Sequence, residues 1–280
     1  MDELSSPVAR YAPSMHNLDS AAMDAAVHNA DFPWDSFDSE SYFDHNYRSV
    51  RHDDRQILEF VRDYFADAKI PAGSRGIDVG TGPNLYPALA MLPFCEAVEL
   101  YEFSAHNIDW LRHQRATGWP SWDEGLRDFW KLYSARSEYG ACGEDPRDLL
   151  RRRTKVVQGS VFDLKCEAGE RFAVGTMFFV AESLSSDRFE FELAVERFLG
   201  AFDRGAPFAA AFMEESKGYE VDGMRFPATA VNASDVRYVL ERWATDVELK
   251  RIGIDGAPLR EGYSGMIIAV GRAKEPSEAR

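Results

Sequence analysis

The stretch Ile77-Asp78-Val79-Gly80-Thr81-Gly82-Pro83-Asn84-Leu85-Tyr86-Pro87 decides the fold. Residues 77–79 read as a short buried strand, the glycines break it, and Leu85, Leu89 and Leu92 return at helical spacing. A strand that enters a helix through a glycine turn places that turn at the carboxyl end of the sheet, where α/β folds bind ligands. Gly80 and Gly82 let the backbone approach such a ligand closely. A dinucleotide is the obvious competitor. The third glycine of its loop is missing, with Leu85 in that place, and Pro83 has no N–H to offer a pyrophosphate.

Upstream of this turn, Ile57, Phe60, Val61, Tyr64 and Phe65 follow the i, i+3, i+4, i+7, i+8 pattern of one buried helical stripe. Asp53 or Asp54 is the expected cap, and Pro71 with Gly73 the expected end. Downstream, apolar runs predict strands at residues 98–101, 156–157, 174–180 and 206–213. A helical stripe of Phe191, Ala194, Val195, Phe198, Leu199 and Phe202 lies between the last two. A helix from Ser234 and strands near 247–252 and 266–270 complete the chain. This alternation predicts a single α/β domain over residues 37–273 with a mostly parallel sheet. Residues 1–36 read as a loose arm with one helix around 19–28, and residues 274–280 as a frayed polar tail. Residues 117–153 are too long for a simple crossover. They carry Trp119, Trp122, Phe129, Trp130 and Tyr133, which serve either as packing or as part of a substrate lid, and end in a basic run expected to be a solvated helix end.

Composition narrows the function. The 280 residues include 32 basic and 47 acidic side chains, a net charge of −15 that repels phosphate backbones and argues against nucleic acid as a partner. A hydrophobic share of 45% with 28% charged residues fits a globular chain rather than a disordered one. No apolar run approaches the ~20 residues that span a bilayer, so no membrane partner is expected. The first residues lack a basic stretch followed by an apolar one, which leaves the cytoplasm as the expected location. Cys95, Cys142 and Cys166 are an odd, widely spaced set, suited to burial in a reducing compartment. The six histidines are equally scattered, and no metal is expected. A monomer and a homodimer both remain open.

The second strand ends at Tyr101-Glu102, 22 residues beyond Gly80. A carboxylate there can accept hydrogen bonds from both hydroxyls of a ribose. S-adenosylmethionine has such a ribose and no phosphate, which suits a turn unfriendly to phosphate. Asp78 then either positions the turn or faces the methionine amino group.

These residues also resemble a known family. Residues 77–86 are similar to the I-D-[IV]-G-[ST]-G-P-x-x-Y signature of the small-molecule methyltransferases for nicotinamide, phenylethanolamine and thioethers. Tyr42-Phe43-Asp44-His45-Asn46-Tyr47 resembles the family's Y-L-x-x-[NY]-Y box, and Glu102-Phe103-Ser104-Ala105-His106-Asn107 resembles its acidic strand end followed by a cofactor-binding Asn. Residues 179–187 and 214–219 resemble its segments after the fourth and fifth strands. The likeness runs in order over residues 42–272. It implies a Rossmann-like class I methyltransferase sheet of seven strands, the last antiparallel, with helices on both faces and S-adenosylmethionine as cofactor. It also implies that Tyr42 and Tyr47, in a covering segment over residues 37–70, wall the cofactor. Gly80, Thr81 and Gly82 form its loop, Tyr86 touches its methionine end, Glu102 holds its ribose, and Asn107 lies near the adenosine. At Gly159-Ser160-Val161 the sequence departs from the family, because Ser160 replaces an Asp that touches adenine beside Val161. The contact is then weaker, or is supplied by Asp163 or a backbone group.

The acceptor side carries Glu182 and Glu215, each just past the carboxyl end of a predicted strand. A carboxylate near the site can bind an ammonium and pass its proton outward. The family's phenylethanolamine branch has glutamates at both positions, so the resemblance points to a small amine as acceptor. Tyr219, Glu261 and Tyr263 are expected to border the substrate, and Tyr219 with the aromatics of residues 119–130 could stack on a ring or surround a methylammonium. O- or S-methylation of a metabolite, with a glutamate as base, and a non-catalytic nucleoside-binding regulator remain alternatives.

Overall fold

The computed structural model describes residues 27–167, 169–254 and 262–275. Its main sheet contains β1 (Ser74–Val79), β2 (Cys95–Glu102), β3 (Thr154–Gln158), β4 (Val174–Phe178), β5 (Pro207–Glu214), β8 (Ala244–Gly253) and β9 (Gly265–Ala273). A separate hairpin pairs β6 (Tyr219–Val221) with β7 (Met224–Phe226). The main order is β3-β2-β1-β4-β5-β9-β8. Strands β1 to β5 pair in parallel, and β9 is antiparallel to both of its neighbours, β5 and β8. This is a Rossmann-like seven-stranded sheet with its last strand reversed, as expected. The order turns back between β1 and β4, which opens a crevice at their carboxyl ends.

The period-two alternation of strand side chains divides the interior into two cores. On β5, Ala209, Ala211 and Met213 join one core, while Phe208, Ala210 and Phe212 join the other. Met266, Ile268 and Val270 of β9 likewise face away from Ile267 and Ala269. Helices α8 (Arg188–Gly200) and α9 (Ala233–Trp243) cover the second face. The first face is covered by α2 (His52–Asp67), α3 (Tyr86–Met91), part of α4 (Ala105–Ala116), and α5 (Arg127–Tyr133). Among the described residues, no helix is long and apolar enough to cross a membrane.

Several boundaries differ from the sequence reading for local reasons. Asp53 and Asp54 lie inside the first turn of α2, buried, and the cap position is Arg51. That helix stops at Asp67, before Pro71. Strand β4 stops at Phe178 because Phe179 is left-handed at φ +60. Helix α9 starts at Ala233, where Asn232 and Asp235 form a reciprocal capping box.

Residues 117–153 are mostly helical: a π-turn at Trp122–Leu126, α5, α6 (Ser137–Gly140) and α7 (Arg147–Arg153). Their aromatics are fully buried in the first core, so they are packing and form no lid. At the end of α7, Arg152 is exposed, whereas Arg153 turns back to donate to the Leu92 carbonyl at 2.7 Å.

The described part of the expected loose arm is docked, as two short 3₁₀ turns at Asn29–Asp31 and Trp34–Ser36. The helix expected around residues 19–28 lies outside the described residues except for Val27 and His28, which are not helical. At the other end Lys274 is held: its N–H donates to the Trp243 carbonyl and its Nζ to that of Glu241. The remainder of the expected frayed tail, residues 276–280, is outside the described residues.

Candidate active site

The crevice at the switch point holds a cavity of about 880 Å³, counting its open mouth. Its walls come from the carboxyl ends of four strands. Val79 ends β1 and residues 80–84 follow it, Tyr101 and Glu102 end β2 with Phe103 and Ser104 after them, Gly159 to Phe162 follow β3, and Phe178 ends β4 with Phe179 and Val180 after it. Gly80 is left-handed at φ +67, and a Cβ there would run into the Val180 side chain, so both conformation and space require glycine.

The bend's own amides are consumed within the protein. Gly80 N donates to the Tyr101 carbonyl at 2.7 Å, Thr81 N to the same oxygen at 3.4 Å, and Asn84 N to Thr81 O at 3.1 Å. Gly82 N donates to Glu102 Oε2 at 2.8 Å. These four N–H groups are therefore not left for a phosphate, which weighs further against a dinucleotide. The groups left for a ligand are side chains. Asn84 lines the cavity, and both its Oδ1 and Nδ2 are buried without a partner among the described residues. Asp78, directly behind the bend, accepts from Thr176 Oγ1 at 2.7 Å through Oδ1, while its buried Oδ2 has no partner among the described residues. Burial pushes the Asp78 carboxyl up to about 7, against the pull of the Thr176 and Thr81 hydroxyls. A ligand presenting both a donor and an acceptor at this end would satisfy the Asn84 amide, whereas Asp78 is buried and does not itself line the cavity.

Glu102 is buried and joined to the bend. Besides Gly82 N, its carboxylate accepts from the N–H groups of Phe103 and Ser104, each at 2.8 Å. Burial raises its pKa, opposed by these backbone donors and by the Asn107 side chain. Asn107 Oδ1 in turn accepts from the Ser39 hydroxyl at 2.6 Å, which ties the carboxylate to α1 (Ser39–Asn46). Helix α1 is the one that brings Tyr42 to the cavity. Ser104 caps α4 and donates its hydroxyl to the Trp34 carbonyl, so the docked arm is fastened at the same corner.

Of the predicted site residues, Tyr42, Tyr47, Gly80, Thr81, Gly82, Glu102, Asn107, Ser160, Val161 and Tyr219 line one cavity. Ser160 caps the turn Val161–Asp163 through its Oγ, and Asp163 does not line the cavity. Others are placed elsewhere. Tyr86 is fully buried behind the wall, its hydroxyl donating to Asp54 Oδ1 at 3.1 Å. Glu182 is also fully buried; its Oε1 accepts from Met213 N at 3.0 Å and from the Ser183 hydroxyl at 3.1 Å. Ser183 itself lines the cavity. Glu215 is exposed and left-handed at φ +56, outside the lining, while its neighbour Glu214 turns inward to a bidentate pair with Arg251. Tyr263 is buried and off the lining, and Glu261 lies outside the described residues. Trp119, Trp122 and Trp130 are at most 1% exposed and cannot face a substrate.

Sequence reasoning missed Asn29 and Trp34, which reach the cavity from the arm, and Phe37 just after it. Trp34 stacks on Phe226 at 5.3 Å, and Phe226 stacks on Tyr219 at the same distance, so arm and hairpin share a small aromatic core of their own. Aromatic residues in an otherwise polar arm were the available signal.

A search of curated proteins gave no match. Among solved structures, the chain is similar to the N-methyltransferase NodS of Bradyrhizobium japonicum WM9 in complex with S-adenosyl-L-homocysteine. The identity is 12%, over 86% of this chain and 95% of that one, at a TM-score of 0.49. It is also similar to the 1,6-didemethyltoxoflavin-N1-methyltransferase of Burkholderia thailandensis, with 12% identity over 79% of this chain and 78% of that one and a TM-score of 0.46. A family model matches residues 25–272. The chain belongs to the NNMT/PNMT/TEMT family of S-adenosylmethionine-dependent methyltransferases.

Proposed function

We propose that this methyltransferase acts on the nitrogen of a small amine, with the reaction centred between the Gly80–Gly82 bend and an aromatic roof. The observation that supports the reading most is the Gly82–Glu102 bond of 2.8 Å at the edge of a cavity whose outer lining is Trp34, Phe37, Tyr42, Tyr47 and Tyr219. When bound, S-adenosylmethionine supplies a methyl group on a sulfonium. The protein's task is to hold a nucleophile about 3 Å from that methyl and in line with the sulfur. Asn84 takes the amino-acid end, Asp78 supports the bend from behind, and Glu102 takes the ribose. Ser160 and the backbone beside Val161 border the adenine.

The aromatic faces suit an acceptor that is cationic before or after transfer, because ring quadrupoles attract cations. The acidic surface draws amines toward the mouth. An ammonium must lose a proton before it attacks. Ser183 stands in the lining with its hydroxyl already directed to Glu182 Oε1. The amine's proton passes to the Ser183 oxygen as that hydroxyl's own proton passes to Glu182, so the buried carboxylate acts through the serine. Glu215 has no part in this scheme. A second cleft, lined by His45, Asn46, Glu220 and Arg225 among others, adjoins the cavity across Tyr42 and Tyr219 and serves as the acceptor's way in. The proposed compartment is the cytoplasm.

A screen of amines, phenols and thiols with labelled methyl donor tests the proposal. The expected product carries the methyl on nitrogen, with turnover rising as pH approaches the amine's own pKa. Tyr219→Ala should raise the acceptor KM several-fold with little change in kcat. Methyl on oxygen or sulfur would overturn the nitrogen assignment. Tight binding of S-adenosylhomocysteine with no transfer to any class would point to a regulator.

A further inference from the structure

Behind the cavity wall lies a buried carboxylate with no role in the scheme above. Asp54, in the first turn of α2, is 3% exposed, and its Oδ1 accepts from the Tyr86 hydroxyl at 3.1 Å. Tyr86 is fully enclosed. Its ring stacks on Phe129 of α5 at 5.1 Å and 11°, and meets Tyr47 and Phe178 edge-on at 6.1 and 5.7 Å. Its carbonyl accepts from the Tyr133 hydroxyl at 3.0 Å. Tyr47 and Phe178 line the cavity on their other side. One tyrosine ring therefore backs two wall residues, and its hydroxyl is held by a single acid.

We propose that Asp54 is a positioning residue for the cofactor site, which it acts on through Tyr86: the carboxylate fixes the ring, and the ring fixes Tyr47 and Phe178. This rests on reading the cavity as the cofactor site. The geometry implies two states of different stiffness, because a hydrogen bond to a carboxylate is roughly twice as strong as one to a neutral acid. The acid also titrates in an accessible range. Burial, reinforced by Asp53, pushes the Asp54 carboxyl up to about 7, while the Tyr86 hydroxyl and Arg51 pull it down. Asp53 on α2 and Arg51 at its cap position act on it, with Arg51 Nε 3.4 Å from Asp53 Oδ1. From α3 comes Tyr86, and behind that ring stand Tyr47 after α1 and Tyr133 on α5. Ionised Asp54 pins Tyr86 and tightens the site above about pH 7; protonated Asp54 loosens it below.

The test is the affinity for S-adenosylhomocysteine, measured by calorimetry from pH 5.5 to 8.5 on the wild-type chain, Asp54→Asn and Tyr86→Phe. Asp78 titrates in the same range but is common to all three proteins, so the readout is the difference between wild type and variant. The expected wild-type affinity rises about threefold more than that of either variant on crossing pH 7, and both variants lack this increment. Tyr86→Phe retains the ring and gives the same readout should Asp54→Asn fold poorly. Binding by wild type with the same pH profile in all folded variants would overturn the positioning role alone. No binding by wild type at any pH would overturn the reading of the cavity as well.

Discussion

At the scale of single residues, the site is built from atoms that lack partners and atoms that have spent theirs. The N–H groups of Gly80, Thr81, Gly82 and Asn84 are all donated to neighbouring protein oxygens. The side chain of Asn84 is the reverse, since neither end of its amide has a partner among the described residues. An unmade bond at a buried amide costs about 1–3 kcal/mol, and a ligand that supplies both partners recovers it. Asn84→Ala should therefore weaken S-adenosylhomocysteine binding about tenfold or more. Binding of 5′-methylthioadenosine, which lacks the amino-acid end, should hardly change. Equal losses for both ligands would show that Asn84 does not face the methionine end. At this scale the sequence was only partly legible. Glu102 and the two glycines announce themselves by type and spacing, because few residue types can do their work. Glu215 could not be told from Glu214, because the left-handed turn at φ +56 that sends one outward and the other to Arg251 leaves no mark in composition.

At the scale of elements, two segments support the cavity in opposite ways. The helical stretch over residues 117–153 lies behind it. Gly125 lets the π-turn press against the backbone at Tyr47 and Arg48, where a Cβ would clash, and Phe129 stacks on Tyr86. The docked arm lies in front. Asp187 and Glu190 flank His28 at 3.2 and 3.8 Å, the Asn29 N–H donates to Glu190, and Asp35 accepts from Ala105 N. The arm thus bridges from the start of α8 to the start of α4. Its Trp34 belongs to the small arm-and-hairpin cluster rather than to either main core. Trp34→Ala should lower Tm by less than about 4 °C yet weaken S-adenosylhomocysteine binding several-fold. Phe129→Ala should cost about 3–5 kcal/mol of stability, as for a fully buried ring. A Trp34 variant as unstable as the Phe129 variant would make the arm a structural element rather than a cover. Helical periodicity made α2 and α8 readable in advance. The arm was not, because its two short turns take their order from contacts with α4, α8 and the hairpin, far away in sequence.

At the scale of the whole molecule, the parallel strands carry their function at one edge, and the acidic surface sets what may approach it. The mostly parallel α/β sheet was legible because β1 to β5 are short apolar runs separated by helices, whereas the reversed last strand was expected only from the family resemblance. The central claim is that Glu102, at the end of β2, reaches across to the Gly80–Gly82 bend of β1 to hold the cofactor's ribose. Calorimetric titration of S-adenosylhomocysteine into wild type and Glu102→Ala tests it most directly, with circular dichroism to check that the fold is retained. The account predicts micromolar binding by wild type and at least a tenfold loss in the folded variant. Unchanged affinity in that variant would contradict it.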